Sequence, residues 1–173
     1  MRIAISATHC IGKSTLIDEF LRAHTDFVHE PEPYAMMVEE FGEEFAAEPC
    51  VEDFYRQLEF NVDRLRQHAH GERVIYERCP IDFLAYIAVL DPKAIEPALG
   101  MVAGSIQQLD RIVYLPLAED DQMEVEYPKL RKAVDRRLSA IYREDEFGIV
   151  SGSGIEVVEA IGSTDERLRS LRF

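Results

Sequence analysis

The chain has 173 residues, 47% of them hydrophobic and 30% charged, which is the balance of a folded globular protein and excludes a disordered or fibrous one. Its 33 acidic and 19 basic residues give a net charge of −14, which disfavours binding to a nucleic-acid polymer. The sequence has no apolar run long enough for a membrane span or signal peptide, and its three cysteines lack the spacing of a zinc site or disulfide framework. We therefore expect a single cytoplasmic domain over residues 1–173, with no membrane partner.

Short apolar segments predict five β-strands. In chain order they are residues 2–6, 26–29, 73–76, 111–115 and 155–161. Apolar residues at helical spacing predict seven helices. The first contains residues 16–21 and the second starts near residue 34, and the others cover residues 51–67, 81–90, 93–109, 128–144 and 164–171. Strands that alternate with helices need crossover connections. We therefore predict a three-layer α/β fold with a mainly parallel, five-stranded sheet and helices on both faces.

The segment between the first strand and the first helix fits the Walker A phosphate-binding pattern. Residues 7–15 read Ala-Thr-His-Cys-Ile-Gly-Lys-Ser-Thr, and they depart from the pattern at the first position, where Ala7 replaces glycine. Backbone N–H groups in such a loop converge on an anion at a helix N-terminus, where the helix dipole also favours negative charge. We predict that this loop binds the phosphates of ATP through Thr8, His9, Cys10, Ile11, Gly12, Lys13, Ser14 and Thr15.

Three side chains at the end of the loop have predicted individual roles. Lys13 is expected to reach the β- and γ-phosphates and to act in catalysis, and the Ser14 hydroxyl is expected to bind Mg²⁺. Thr15 is the expected hydroxyl at the α-phosphate. A chance Gly-Lys-Ser triplet is the alternative, but its place between an apolar strand and an amphipathic helix is the one the motif requires.

Three more segments carry a family resemblance. They are His29-Glu30-Pro31, Phe54-Tyr55-Arg56-Gln57 and Ile75-Tyr76-Glu77-Arg78-Cys79-Pro80-Ile81-Asp82. With the loop, they resemble the deoxynucleoside kinases and the related small P-loop ATPases that include the nicotinamide riboside kinase type of domain. The resemblance covers about residues 1 to 90 and is looser afterwards. It implies the P-loop NTPase fold and a single nucleoside-kinase-like domain.

The resemblance also implies roles for three charged residues. Glu30 matches the family's catalytic base, which faces the hydroxyl that accepts phosphate. Glu77 matches a carboxylate that holds Mg²⁺ or its water, and Arg78 matches the arginine that contacts the transferred or acceptor phosphate. The family's Glu-Arg-Ser appears here as Glu77-Arg78-Cys79. An ordinary turn glutamate at position 30 and a strand-end ion pair at positions 77 and 78 are the alternatives.

Kinases of this type carry a lid between the fourth and fifth strands, here about residues 116–145. That segment contains six basic residues: Lys129, Arg131, Lys132, Arg136, Arg137 and Arg143. We assign Arg131 and Arg136 to the triphosphate. A solvated helix face is the alternative, because acidic side chains are also present nearby.

Two functions therefore stay open. The first is transfer of the ATP γ-phosphoryl, with Mg²⁺, to a hydroxyl of a nucleoside or similar small metabolite. The second is a regulatory ATPase or switch without an acceptor. A guanine-specific switch is disfavoured because the chain's single asparagine, Asn61, lies outside any Asn-Lys-x-Asp motif. A homodimer is left open.

Overall fold

The structure is a computed structural model that describes residues 1–69, 71–118 and 121–171. These residues form five strands: β1 (Arg2–Ser6), β2 (Val28–Glu30), β3 (Val74–Glu77), β4 (Arg111–Tyr114) and β5 (Glu156–Glu159). They also form seven α-helices: α1 (Lys13–Ala23), α2 (Pro33–Glu39), α3 (Val51–Gln67), α4 (Pro80–Leu90), α5 (Ile95–Ser105), α6 (Pro128–Glu144) and α7 (Thr164–Ser170). Short 3₁₀ turns, Pro92–Ala94 and Ile106–Gln108, flank α5.

The strands form one sheet in the order β2-β3-β1-β4-β5, and every neighbouring pair is parallel. β1 lies at the centre, with Ile3 opposite Ile75 of β3 and Arg111 of β4. All five residues of β1 are buried, because helices cover both faces of the sheet. The predicted three-layer α/β architecture is thus confirmed.

The two faces of the sheet belong to two separate hydrophobic clusters. Ala4, Tyr76 and Ile112 pack in the cluster formed with α3, α4, α5 and α6. Ile3 and Ile75 pack on the opposite face, in the cluster formed with α1 and α7. Successive strand residues point to opposite faces, so this division decides on which side each polar residue at a strand end emerges.

Three elements differ from the sequence prediction. The second strand covers Val28–Glu30 and not residues 26–29. The helix expected over residues 93–109 is shorter, because Pro92 starts a 3₁₀ turn whose Lys93 N–H is capped by the Asp91 carboxylate at 2.9 Å. The last strand covers Glu156–Glu159 and not residues 155–161, since β5 is the edge strand and Ile161 beyond it is exposed. None of the helices in the described residues has the length and apolar character needed to cross a bilayer.

The predicted lid contains one long helix. α6 covers Pro128–Glu144, as the sequence predicts. Glu119 and Asp120, which also fall within the predicted lid, lie outside the described residues, as do His70, Arg172 and Phe173.

Candidate active site

The Walker A segment lies between β1 and α1, at the carboxyl end of the central strand. Gly12 is the N-cap of α1 and has a φ of 85°, in the left-handed region that favours glycine. Cys10 has a φ of 54°. Ala7 is fully buried and is absent from the residues with positive φ. The replacement of the first glycine by Ala7 is therefore compatible with the loop, because this position does not use a left-handed conformation.

Cationic side chains surround the loop. The five consecutive carbonyl oxygens of residues 7–11 each accept a hydrogen bond from a lysine or arginine side chain. The donors are Arg78 to Ala7 (2.9 Å), Lys13 to Thr8 (3.2 Å), Arg131 to His9 (2.9 Å) and to Cys10 (2.7 Å), and Arg167 to Ile11 (2.9 Å). In a trans peptide unit the N–H points away from the C=O. The N–H groups of residues 10–12 therefore point away from the carbonyl oxygens that the arginines bind, which leaves these N–H groups available to an anion.

Lys13 is itself nearly buried. Burial, and then the neighbouring Arg78, lower the pKa of Lys13 below its usual value. Glu32, Asp82 and Glu77 oppose this shift only in part, and an incoming phosphate would add negative charge beside the ammonium.

Ser14 and Glu77 bring two oxygen atoms together at the ends of α1 and β3. The Ser14 hydroxyl donates to Glu77 Oε1 at 2.7 Å. Glu77 lies opposite Ile5 in register, so its side chain emerges on the α1 face of the sheet. Within the described ranges no group of three or more His, Cys, Asp or Glu side chains could hold a metal ion. The pair fits Mg²⁺, which takes oxygen ligands and obtains many of them from water and substrate phosphates.

Arg78 links the loop to Glu32. It has a φ of 91°, is nearly buried, and forms an ion pair with the Glu32 carboxylate while it donates to the loop. Burial alone would raise the pKa of Glu32, but Arg78 and Lys13 outweigh it and lower this pKa to about 2. Glu32 is therefore ionised at neutral pH.

Glu30, the base expected from the sequence, is not brought to the loop. It lies opposite Tyr76 in register, and its side chain emerges on the α3 face. Arg64 donates to its two carboxylate oxygens, from Nε at 2.8 Å and from Nη2 at 2.6 Å, and His68 contacts the same carboxylate. The parity of β2 explains the difference, because it turns Glu30 beneath α3.

The two lid arginines assigned from the sequence are separated. Arg131 is nearly buried against the loop and pairs with Asp121. Arg136 is exposed and lines a groove with Ala88 and Val89 of α4. Five residues turn a helix by about 140° beyond one full turn, so the two side chains leave α6 in different directions. Arg136 does not reach the loop.

A first cavity, of about 240 Å³, borders the loop at residues 10–12. It is bordered by the loop itself and by the segments that follow β4 and β5. Its lining includes Gly12, Thr15, Leu117, Arg131, Thr164 and Arg167. No motif in the sequence indicates Arg167.

A second cavity, of about 260 Å³, borders the loop at His9. Its polar lining includes His9, Glu32, Asp53, Gln57 and Arg78. Its aromatic lining consists of Tyr34, Phe45, Phe54, Tyr86 and Tyr127. The rings of Phe54 and Tyr86 stack with centroids 4.3 Å apart, and Tyr127 donates to the Ala47 carbonyl at 3.0 Å. The last bond joins the predicted lid to the segment that borders the cavity.

His9 joins the loop to this second cavity. Its Nδ1 lies 2.8 Å from the Tyr86 hydroxyl, which also accepts from the His9 backbone N–H at 3.1 Å. Burial, followed by Arg78, Arg131 and Lys13, lowers the pKa of His9 to about 4. The imidazole is therefore neutral at physiological pH.

Glu32 and Arg167 are the residues that the sequence reasoning missed. The sequence does contain an indication of Glu32, because the run Glu30-Pro31-Glu32-Pro33 offers two carboxylates after the same predicted strand. Choosing between them needs the position at which β2 ends, because residues two apart point to the same face as long as the strand continues. Arg167 follows a Ser163–Glu166 capping box, which predicts a helix but not what that helix contacts.

A central parallel strand, a Walker A loop and a Ser–Glu oxygen pair define a P-loop nucleotide-binding domain. Residues 2–167 match the sequence family described as an AAA domain, and the chain belongs to this family. No curated protein sequence matches the chain.

Two solved structures have a similar fold. The NadR protein in complex with NAD and AMP-PNP superposes with a TM-score of 0.70 at 16% identity, over 98% of this chain and 48% of that one. The NadR protein in complex with NR superposes with a TM-score of 0.67 at 17% identity, over 94% of this chain and 44% of that one. The chain thus spans about half the length of these proteins. The resemblance to small P-loop kinases and ATPases is confirmed at the level of family and fold.

Proposed function

We propose that the protein binds ATP with Mg²⁺ and transfers the γ-phosphoryl group to a hydroxyl of a nucleoside or similar small metabolite. One observation carries this proposal. Two cavities with separate linings border the phosphate-binding loop, and the second contains the Glu32–Arg78 ion pair. A nucleotide switch needs the first cavity, whereas a phosphotransferase needs both.

ATP would occupy the first cavity and the loop. Lys13 would leave the Thr8 carbonyl for the β- and γ-phosphates, and the N–H groups of the loop would contact the phosphate oxygens. Ser14 and Glu77 would hold Mg²⁺, which supplies charge neutralisation for the β- and γ-oxygens when bound. The AMP-PNP complex of the structurally similar NadR protein supports ATP as the nucleotide.

The acceptor would occupy the second cavity. Aromatic walls with a few polar groups suit a flat heterocycle joined to a sugar, since rings stack and hydroxyls need hydrogen-bond partners. The NR complex of the similar NadR protein supports this class of acceptor. Gln57 and Asp53 lie among the lining residues and offer polar contacts.

In the transfer itself, the acceptor oxygen bonds to the γ-phosphorus while the bond from that phosphorus to the β–γ bridging oxygen breaks. The hydroxyl proton passes to Glu32, and ADP leaves. Phosphoryl transfer has a loose transition state, so the carboxylate mainly orients the hydroxyl. Its low pKa suits this role, because Glu32 stays ionised until the new bond has formed. Arg78, which lines the second cavity, places positive charge beside the moving group.

The proposal assigns the acceptor carboxylate to Glu32, where sequence reasoning favoured Glu30. It also assigns Arg131 to the bound nucleotide, as the sequence predicts, and assigns no role in nucleotide binding to Arg136. Residues 1–173 would act as one domain with residues 116–145 as the lid. The three free cysteines support a reducing compartment such as the cytosol.

The test is a screen of the purified protein with ATP and Mg²⁺ against nucleosides, nucleotides and ribosides, followed by single-turnover transfer. Glu32→Gln should lower transfer by about two to four orders of magnitude and leave ATP affinity nearly unchanged. Glu39→Gln, at an exposed position on α2, is the matched control and should transfer at the wild-type rate.

Two outcomes would overturn the proposal. Transfer at the wild-type rate by Glu32→Gln would remove this carboxylate from the chemistry. Slow ATP hydrolysis without any phosphorylated acceptor would instead favour the regulatory ATPase or switch.

A further inference from the structure

Arg131 and Arg167 hold three consecutive carbonyl oxygens of the loop, those of residues 9–11. They come from different elements, Arg131 from α6 in the predicted lid and Arg167 from α7 after the last strand. Both line the first cavity. The proposed function uses Arg131, whereas it gives Arg167 no role.

Arg167 stands close to the part of the loop where phosphates bind. Its Nη1 donates to the Ile11 carbonyl at 2.9 Å and lies 3.9 Å from the position that a Cβ on Gly12 would take. Its Nε is buried and has no hydrogen-bond partner in the part of the chain that the structure describes. A guanidinium carries several N–H donors in one plane, so the bond to Ile11 leaves donors for a ligand.

The position of Arg167 is fixed by its helix. Ser163 and Glu166 form a capping box at the start of α7, with Ser163 N donating to Glu166 Oε2 at 2.8 Å. Leu168 and Leu171 pack in the cluster that contains α1. α7 therefore packs against α1, the helix that follows the phosphate-binding loop. This packing holds the Arg167 guanidinium next to the loop.

We propose that Arg167 is a nucleotide-binding residue that contacts the α-phosphate end of the bound nucleotide. The cavity that it lines contains Gly12 and Thr15, whereas Ser14 and Glu77 at the γ-phosphate end are not among its lining residues. A planar guanidinium is suited to paired hydrogen bonds with phosphate oxygens. Burial also lowers the pKa of Arg167, as expected for a cation that lacks a counter-ion until an anion binds.

This inference rests on the nucleotide binding in the proposed function, but not on any acceptor. The experiment measures the affinities of ADP and ATP, each with Mg²⁺, by calorimetry for the wild type and Arg167→Ala. Contact with the α-phosphate end predicts that both affinities fall by the same factor, about tenfold. Arg169→Ala, an exposed arginine on the same helix, is the matched control and should bind both nucleotides as the wild type does.

A second variant separates ligand contact from support of the loop. Arg167→Gln keeps a neutral N–H donor for the Ile11 carbonyl but loses the charge, and it carries the test if Arg167→Ala does not fold. Nucleotide contact predicts that Arg167→Gln also loses ADP affinity, with a smaller loss at high salt.

Three outcomes would overturn the inference. One is wild-type ADP affinity in Arg167→Gln, and another is a loss confined to ATP, which would place the contact at the γ-phosphate. The third is a lower melting temperature of nucleotide-free Arg167→Ala with unchanged ADP affinity. Failure to phosphorylate an acceptor would count against the proposed function alone, because no acceptor is present in these measurements.

Discussion

The Nζ atom of Lys13 donates a hydrogen bond of 3.2 Å to the carbonyl oxygen of Thr8, five residues earlier in the same loop. The Lys13 side chain thus reaches across the loop that is expected to bind the phosphates. Its side chain is nearly buried, and burial lowers its pKa. In the absence of nucleotide this buried ammonium has an uncharged oxygen as its hydrogen-bond partner, and Glu32, Asp82 and Glu77 supply the neighbouring negative charge.

Lys13→Met should abolish measurable ATP binding without loss of stability in the nucleotide-free protein. The charge that contacts phosphate is lost, and burial of an ammonium no longer opposes folding. Calorimetry with ATP and thermal unfolding without it check both parts. Lys129→Met, at an exposed lysine of α6, serves as control. ATP affinity equal to the wild type would refute the phosphate-binding assignment.

Glu77→Gln should weaken the Mg²⁺ dependence of ATP binding more than it weakens metal-free binding. The amide keeps a hydrogen bond with the Ser14 hydroxyl, which lies 2.7 Å from Glu77 Oε1, but it removes the charge that would attract the cation. The measurement is a Mg²⁺ titration of ATP affinity for both proteins. Superimposable titrations would exclude Glu77 from the metal site.

Glu30→Gln should destabilise the fold by about 2 kcal/mol and leave ATP affinity unchanged. The substitution removes the charged partner of Arg64 and His68 in a largely buried cluster, and a broken pair of this kind costs more than an exposed one. Urea unfolding gives the free energy, with Glu39→Gln as the exposed control. If Glu30→Gln were as stable as the wild type but had lost phosphoryl transfer, Glu30 would be the catalytic base after all.

His9 should make the folded protein less stable as the pH falls from about 6.5 to about 4. Its folded-state pKa of about 4 is below the unfolded value of 6.5, so the unfolded chain binds more protons in this window. His9→Gln should therefore lose less stability than the wild type between pH 7 and pH 4.5 in urea unfolding. Equal losses in the two proteins would contradict the lowered pKa.

Local sequence was sufficient for much of the fold and for the loop. The order of strands and helices follows from hydrophobic periodicity, which depends on neighbouring residues. The position of Gly12 and Lys13 between a strand and a helix identified the phosphate-binding loop. The end of β3 also placed Glu77 beside Ser14, since parallel strands end at the same edge of the sheet.

Tertiary structure decided which charged residues reach the loop. Glu30 and Glu32 are two residues apart, yet the register of β2 against β3 turns Glu30 beneath α3, while Glu32 leaves the strand and meets Arg78. Arg167 contacts a loop carbonyl 156 positions away. Such contacts depend on strand register, helix rotation and the packing of distant elements, and these are set by the assembled core and not by the residues next to each site.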